Sequence, residues 1–319
     1  MKLFLQKTGL LLFLVASALL LTVTAKFLFV GSQYNQNYQA AFLDKIERLK
    51  SIDEPKIILV GNSNLSFGID SQKLQDSMGM PVVNLGLHGG LGNAFHRNMA
   101  KYNIRKDDIV VLCQTSYGDD DDDEIHDYTL AWITIDNHLE YLGIFRPEDY
   151  AGLLSSYPTY LKKALYLRIS HKGNLDYGGS YSRNAFNKYG DVIVKPAISQ
   201  LDFSRSEYNY PPPTVSDQQA AAINDYNRYV ASHGAELVIA SYPILFSDYS
   251  VYTKDDIIAF QKELEKKTDC DIISDFTDYL FPCELFYNTN AHLTEEGTAI
   301  RTELLISDLK RWRSEKTKN

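Results

Sequence analysis

Three short stretches of the chain hold residue types that together suit nucleophilic chemistry on an acyl carbon. In "GNSN", Ser63 lies two residues after Gly61 and directly behind the apolar run "IILV". A serine hydroxyl is a weak nucleophile until a base takes its proton, so a histidine is needed elsewhere. Of the seven histidines, His292 in "FYNTNAHLTEEG" is the best placed, with the uncharged Asn288 four residues upstream. "NLGLHGGLG" offers Gly86, whose bare backbone N–H could approach an oxyanion closely. The Ser63 N–H would be its partner. The plainer readings are a polar turn at Ser63, helix packing at His292 and a tight strand exit at Gly86. His88 and His96 receive no chemical role; both read as structural or substrate-facing.

These residues need elements that end where they stand. "PKIILVGNS" is a β-branched run that stops at glycine, as a buried parallel strand should. Similar runs recur at 81–87, 107–114, 235–245 and 270–276, which predicts five strands. Helical spacing alternates with them. Ser216 and Gln219 form a capping-box pattern ahead of Ile223, Tyr226 and Val230, and Thr253 with Asp256 opens a second helix. A last helix starts near Thr294, with Ile300, Leu304, Leu305 and Leu309 as its expected buried stripe. Strand–helix repetition of this kind predicts an α/β fold, an open parallel sheet covered on both faces. Its strand ends are where Ser63, Gly86 and His292 fall.

Residues 117–214 break the rhythm and read as an insertion on the strand-end side. The stretch begins with "GDDDDDE", ends with "YPPPT" and holds 12 of the 22 tyrosines. Those rings suit a carbohydrate or other amphipathic ligand, or equally a lid packed on its own aromatic core. The run Asp119 to Glu124 lacks the glycine and alternation of a calcium loop, so it reads as a solvated loop. No metal-ligand spacing appears and the chemistry calls for no cofactor. Cys270 and Cys283 could close a short loop, while Cys113 ends an apolar run like a small buried hydrophobe.

Between Lys7 and Lys26 stand eighteen uncharged residues, about 27 Å of helix, close to a bilayer core. Residues 1–30 are therefore read as a membrane anchor, with a cleaved signal peptide ending at "VTA" as the alternative. Lys2 and Lys7 ahead of the run place the N-terminus inside and the rest of the chain outside. Residues 31–53 read as a polar stalk and short helix, and 54–319 as the globular domain. A net charge of −9 over 319 residues argues against nucleic-acid binding, which needs a basic stripe. "GLHGGLG" has the wrong spacing and strand for a dinucleotide fingerprint, and "GNSNLSFG" lacks the lysine of a phosphate loop.

On Ser63, Gly86 and His292 the chain resembles the SGNH, or GDSL, hydrolases, and within them the membrane-anchored branch similar to the D-alanyl-lipoteichoic-acid protein and polysaccharide O-acetyltransferases. The resemblance covers roughly residues 54–116 and 216–312. It implies a flavodoxin-like three-layer sandwich and acyl-ester chemistry on an exported or surface glycan, hydrolysis and transfer being indistinguishable. A partner implied for transfer is a multi-pass acyl-exporting membrane protein. Ser63 matches the family's nucleophile, in G-N-S rather than G-D-S, and Gly86 matches its glycine oxyanion donor. His292 matches the base. The family's third donor, an asparagine, has no clear counterpart; of Gln114 and Ser116, Gln114 is preferred. Asn288 stands where the family's aspartate is expected, with Glu284, Asp275 and Asp278 as carboxylates that could serve instead. An amide there carries no charge to stabilise an imidazolium. The competing implication is a catalytically weakened domain that binds glycan or assists an envelope assembly complex.

Overall fold

The computed structural model describes residues 1–118, 121–195, 198–199, 212–247 and 250–318. Five parallel strands form the central sheet: β1 (Ile57–Gly61), β2 (Val82–Asn84), β3 (Ile109–Cys113), β4 (Glu236–Ile239) and the edge strand Asp271–Ile272. They are the five expected runs. The run 235–245 divides, however: β4 ends at Ile239, and β5 (Ile244–Leu245) leaves the sheet. The edge strand is then β6, and β5 pairs in parallel with β7 (Leu280–Phe281) in a separate two-stranded sheet. The central order is β2-β1-β3-β4-β6, with Gly61 beside Cys113 at the β1–β3 strand ends.

Strand alternation divides the core in two. Ile58, Val60, Val110 and Leu112 pack on one face against α2 (Ala41–Ser51), α5 (Asn93–Ala100), α8 (Asp217–Ser232) and α9 (Lys254–Lys267). Ile57, Leu59 and Val111 face the other way, onto α4 (Ser71–Met78) and α10 (Glu295–Lys316). Ser216, Thr253 and Thr294 cap α8, α9 and α10, each accepting from a backbone N–H in the first turn. The α10 stripe differs from expectation. Ile300 is exposed, while Thr298, Arg301 and Thr302 are buried ahead of Leu305, Ile306, Leu309 and Trp312. That face is polar at its start because it meets the Ser63 turn, and apolar only where it meets the sheet.

The helix α1 (Lys2–Ala25), continued by a π-type turn over Lys26–Val30, is long and apolar enough to cross a membrane. The expected polar stalk is not one. Phe42, Ile46 and Leu49 of α2 are fully buried against the sheet, and Gln33 donates through its backbone to Asp136 Oδ2 at 2.9 Å. Lys26 is buried too, with its Nζ 2.8 Å from Asp136 Oδ1. Among its described residues the insertion carries two α-helices, α6 (Tyr128–Ile135) and α7 (Tyr150–Ile169), packed on one another. Part of the acidic run is folded rather than solvated: Asp123 is buried and takes both oxygens to Arg97 Nη2 at 2.6 Å. Asp119 and Asp120 lie outside the described residues. Cys113, Cys270 and Cys283 are all free thiols.

Candidate active site

The turn after β1 is built to hold Ser63 forward. Asn62 caps the single-turn helix α3 (Ser63–Ser66), its side chain accepting from the Asn64 N–H at 3.0 Å. Ser63 therefore occupies the first helical position, where the backbone N–H has no intrahelical acceptor and is left for an incoming anion. Gly61 is required by closeness, since a Cβ there would stand 2.4 Å from the Cys113 carbonyl. Beneath the turn, the buried Asn64 donates to Cys113 O at 3.0 Å. Arg301, fully buried in α10, donates to both Asn64 O (2.6 Å) and Asn64 Oδ1 (2.7 Å). Sequence reasoning missed this clamp; the arginine at helical spacing with Thr298 and Leu305 was its only signal.

His292 reaches the same place from the other end of the chain. Its Nε2 lies 2.9 Å from Ser63 Oγ, and its Nδ1 lies 2.8 Å from Asn288 Oδ1. The residue precedes α10, and the Phe286–Leu293 bridge fixes the loop that carries it. Phe67 stacks on the imidazole at 4.0 Å with an interplanar angle of 15°. The Asn288 amide also donates to the Tyr181 hydroxyl at 2.8 Å, so the insertion touches the partner of His292. Neither Phe67 nor Tyr181 was singled out from sequence. Glu284, Asp275 and Asp278 have no hydrogen bond to His292; Asp275 instead caps the turn at Phe276–Tyr279.

Burial, reinforced by the positive charges of His88 and Lys195, pushes the His292 imidazole from 6.5 down to about 3. It is therefore neutral, and able to accept a proton, over the whole neutral range. Two outcomes are expected. The kcat/KM for a small ester stays flat from about pH 8 to about pH 5, since the free-enzyme base controls that limb; an inflection near 6.5 would show an ordinary imidazole. Stability behaves differently. Between about pH 3 and 6.5 the unfolded chain binds the extra proton, so stability falls as pH drops through that window, by about 1.4 kcal/mol per unit. Thermal midpoints across the window measure this slope.

Two expected oxyanion donors are engaged elsewhere. The Gly86 N–H donates to Asn84 Oδ1 at 2.9 Å. The Asn84 amide nitrogen is committed to Asp191 Oδ1 and Leu65 O, which turns its oxygen onto Gly86. Gly86 is needed instead for close packing, as a Cβ would lie 2.7 Å from the Ser66 nitrogen. Gln114 is also withdrawn, with Oε1 on Arg97 Nη1 at 2.7 Å. The alternation of β3 explains it: Leu112 faces α5, so Gln114 does too. The next residue, Thr115, lies beside the Ser63 turn, its Oγ1 accepting from Asn62 Nδ2 at 2.6 Å. Its hydroxyl proton stays available, which makes it the better side-chain donor. Ser116 is tied to Asp122 Oδ2 at 2.5 Å.

His88 Nδ1 accepts from the Gly90 N–H, and His96 is buried within the core beside Phe95. A cleft of about 390 Å³ opens next to the histidine loop, lined by Thr115, Tyr242, Pro243, Tyr252, Asn290 and Ala291 among others. No family model, curated protein or solved structure matches the chain. The reading of the site rests on its own geometry.

Proposed function

We propose that the protein is an extracytoplasmic, serine-dependent acyl-ester hydrolase or O-acyltransferase acting on a cell-surface or exported polysaccharide. The observation that carries it is the unbroken chain from Ser63 Oγ through His292 Nε2 and Nδ1 to Asn288 Oδ1, with links of 2.9 and 2.8 Å. It stands beyond the carboxyl ends of β1 and β3, where open α/β sheets bind ligands. The strand order β2-β1-β3-β4-β6 is that of flavodoxin-like sheets and supports the resemblance to SGNH hydrolases.

In this reading Ser63 Oγ attacks the acyl carbon while His292 Nε2 takes its proton. The Ser63 N–H and the Thr115 hydroxyl hold the oxyanion. His292 returns the proton to the departing alcohol, leaving an acyl-serine. Water, or a sugar hydroxyl, then gives its proton to His292 and attacks the acyl carbon; His292 passes that proton to Ser63 Oγ as the acid, or the new sugar ester, leaves. Lys2 and Lys7, ahead of α1, support an outward-facing domain. A multi-pass acyl exporter is the implied donor partner for transfer.

A serine-directed fluorophosphonate tests the reading. It should label the full chain, and Ser63→Ala or His292→Ala should abolish labelling. The second reading, a weakened domain that binds glycan, is favoured by one observation: the amide of Asn288 where a carboxylate would stabilise the imidazolium. An unlabelled wild-type chain with no turnover of an acetyl ester would leave that reading standing alone.

A further inference from the structure

The helix α7 is apolar on two sides. Leu153, Tyr157, Tyr160 and Ala164 are buried against the insertion. A second stripe, about 120° round the helix from the first, carries Leu154, Pro158, Leu165 and Ile169, separated by four, seven and four residues and so on one side. Leu154 is 53% exposed, Leu165 42% and Ile169 71%, with Tyr166 beside them at 61%. This stripe is about 22 Å long at 1.5 Å per residue. A helix with a second apolar stripe needs a cover for it as well, and the described residues leave these side chains exposed.

Two further observations say what the cover is. From Tyr150 to Lys172 the chain has Lys162, Lys163, Arg168 and Lys172 and no acidic residue, in a protein of net charge −9. The carboxyl end of α7 also lies against the exit of the anchor: Leu167, Arg168, His171 and Asn174 share a cleft of about 360 Å³ with Leu28–Gln33. Both polarity and position match a bilayer surface. Amphipathic segments with basic flanks and aromatic residues bed in the headgroup layer, and basic side chains beside a span are drawn to anionic lipid.

We infer that α7 is a second membrane contact, lying in the headgroup layer of the bilayer that α1 crosses, with anionic lipid as its partner. The inference rests on α1 being inserted. It does not depend on what Ser63 does.

The full chain in nanodiscs of phosphatidylcholine and phosphatidylglycerol tests it, with brominated lipid as quencher and wild-type emission as background. Leu12→Trp reports insertion of α1, Tyr166→Trp reports α7, and Ile258→Trp on the distant α9 is the control. Tyr166→Trp emission should fall about twofold on bromination, Ile258→Trp should not change, and adding Ile169→Glu to Tyr166→Trp should restore the emission. Quenching at Leu12→Trp with none at Tyr166→Trp overturns the inference while the anchor stands, and assigns the stripe to a protein partner. No quenching at either position overturns both. Fluorophosphonate labelling of Ser63, read separately, is unaffected by any of these outcomes.

Discussion

Asn288→Asp raises ester turnover by roughly 10² to 10⁴-fold, the range set by the loss that the reverse change causes in a serine–histidine–aspartate site. The reason lies in what an amide can do beside an imidazole. As placed, Asn288 presents Oδ1 to His292 Nδ1 at 2.8 Å and its nitrogen to the Tyr181 hydroxyl. A flipped amide would satisfy the same neighbours. Tyr181 would donate to the oxygen, the amide nitrogen would donate to Nδ1, and the ring proton would move to Nε2, where it blocks abstraction from Ser63. A carboxylate only accepts, so it fixes the productive tautomer and adds the missing charge. Asn288 is half-exposed, so the new charge stays hydrated. The acid limb of kcat/KM should move up from about 3 toward the ordinary 6.5, because the imidazolium gains a counter-charge. A rate that rises with no movement of the limb would assign the gain to packing. No rise at all would show that proton transfer does not limit turnover.

The second large effect is at Ser63, and its size depends on residue 288. Removing the serine of a complete triad costs about 10⁶-fold, and further triad deletions then cost little more. Where the third member already lacks its charge, most of that catalytic advantage is absent. Ser63→Ala should therefore lower turnover by about 10²-fold in the native chain and by about 10⁶-fold in an Asn288→Asp background. His292→Ala should follow it in both. Steady-state rates of four proteins, native, each single variant and the double, measure the difference. Equal losses in the two backgrounds would mean that Asn288 is not coupled to the nucleophile.

The sequence made some parts of this arrangement legible and hid others for physical reasons. Ser63 and His292 could be read because each follows a strand run and stands at a helix start, and such local signals survive without knowledge of packing. The five sheet strands were legible for the same reason. Gly86 was expected to offer its N–H to an oxyanion, with a tight strand exit as the plainer reading, and that N–H is instead taken up inside the chain. Its acceptor Asn84 is two residues away, and the amide's orientation depends on Asp191, distant in the chain. Gln114 lost to Thr115 on strand alternation, a period of two that the run "IVVLCQTS" does carry. The stalk failed because "GSQYNQNYQ" is polar in composition, yet its partners Asp136 and Asn174 lie in the insertion. Arg301 showed only its helical spacing with Thr298 and Leu305, and Tyr181 no local signature, since a buried guanidinium and a hydroxyl over an amide are defined by what they touch.

The absence of a stalk has a geometric consequence. Twenty residues of flexible linker would let the domain wander some 25 Å from its anchor, sampling substrates through a volume. Here the Lys26–Asp136 ion pair and the burial of α2 leave no slack between α1 and the sheet. With α1 set in a bilayer, Ser63 would be carried at one altitude above it, like a stylus on a rigid arm. Under the proposed function, the glycan would have to come to that height to be acted on.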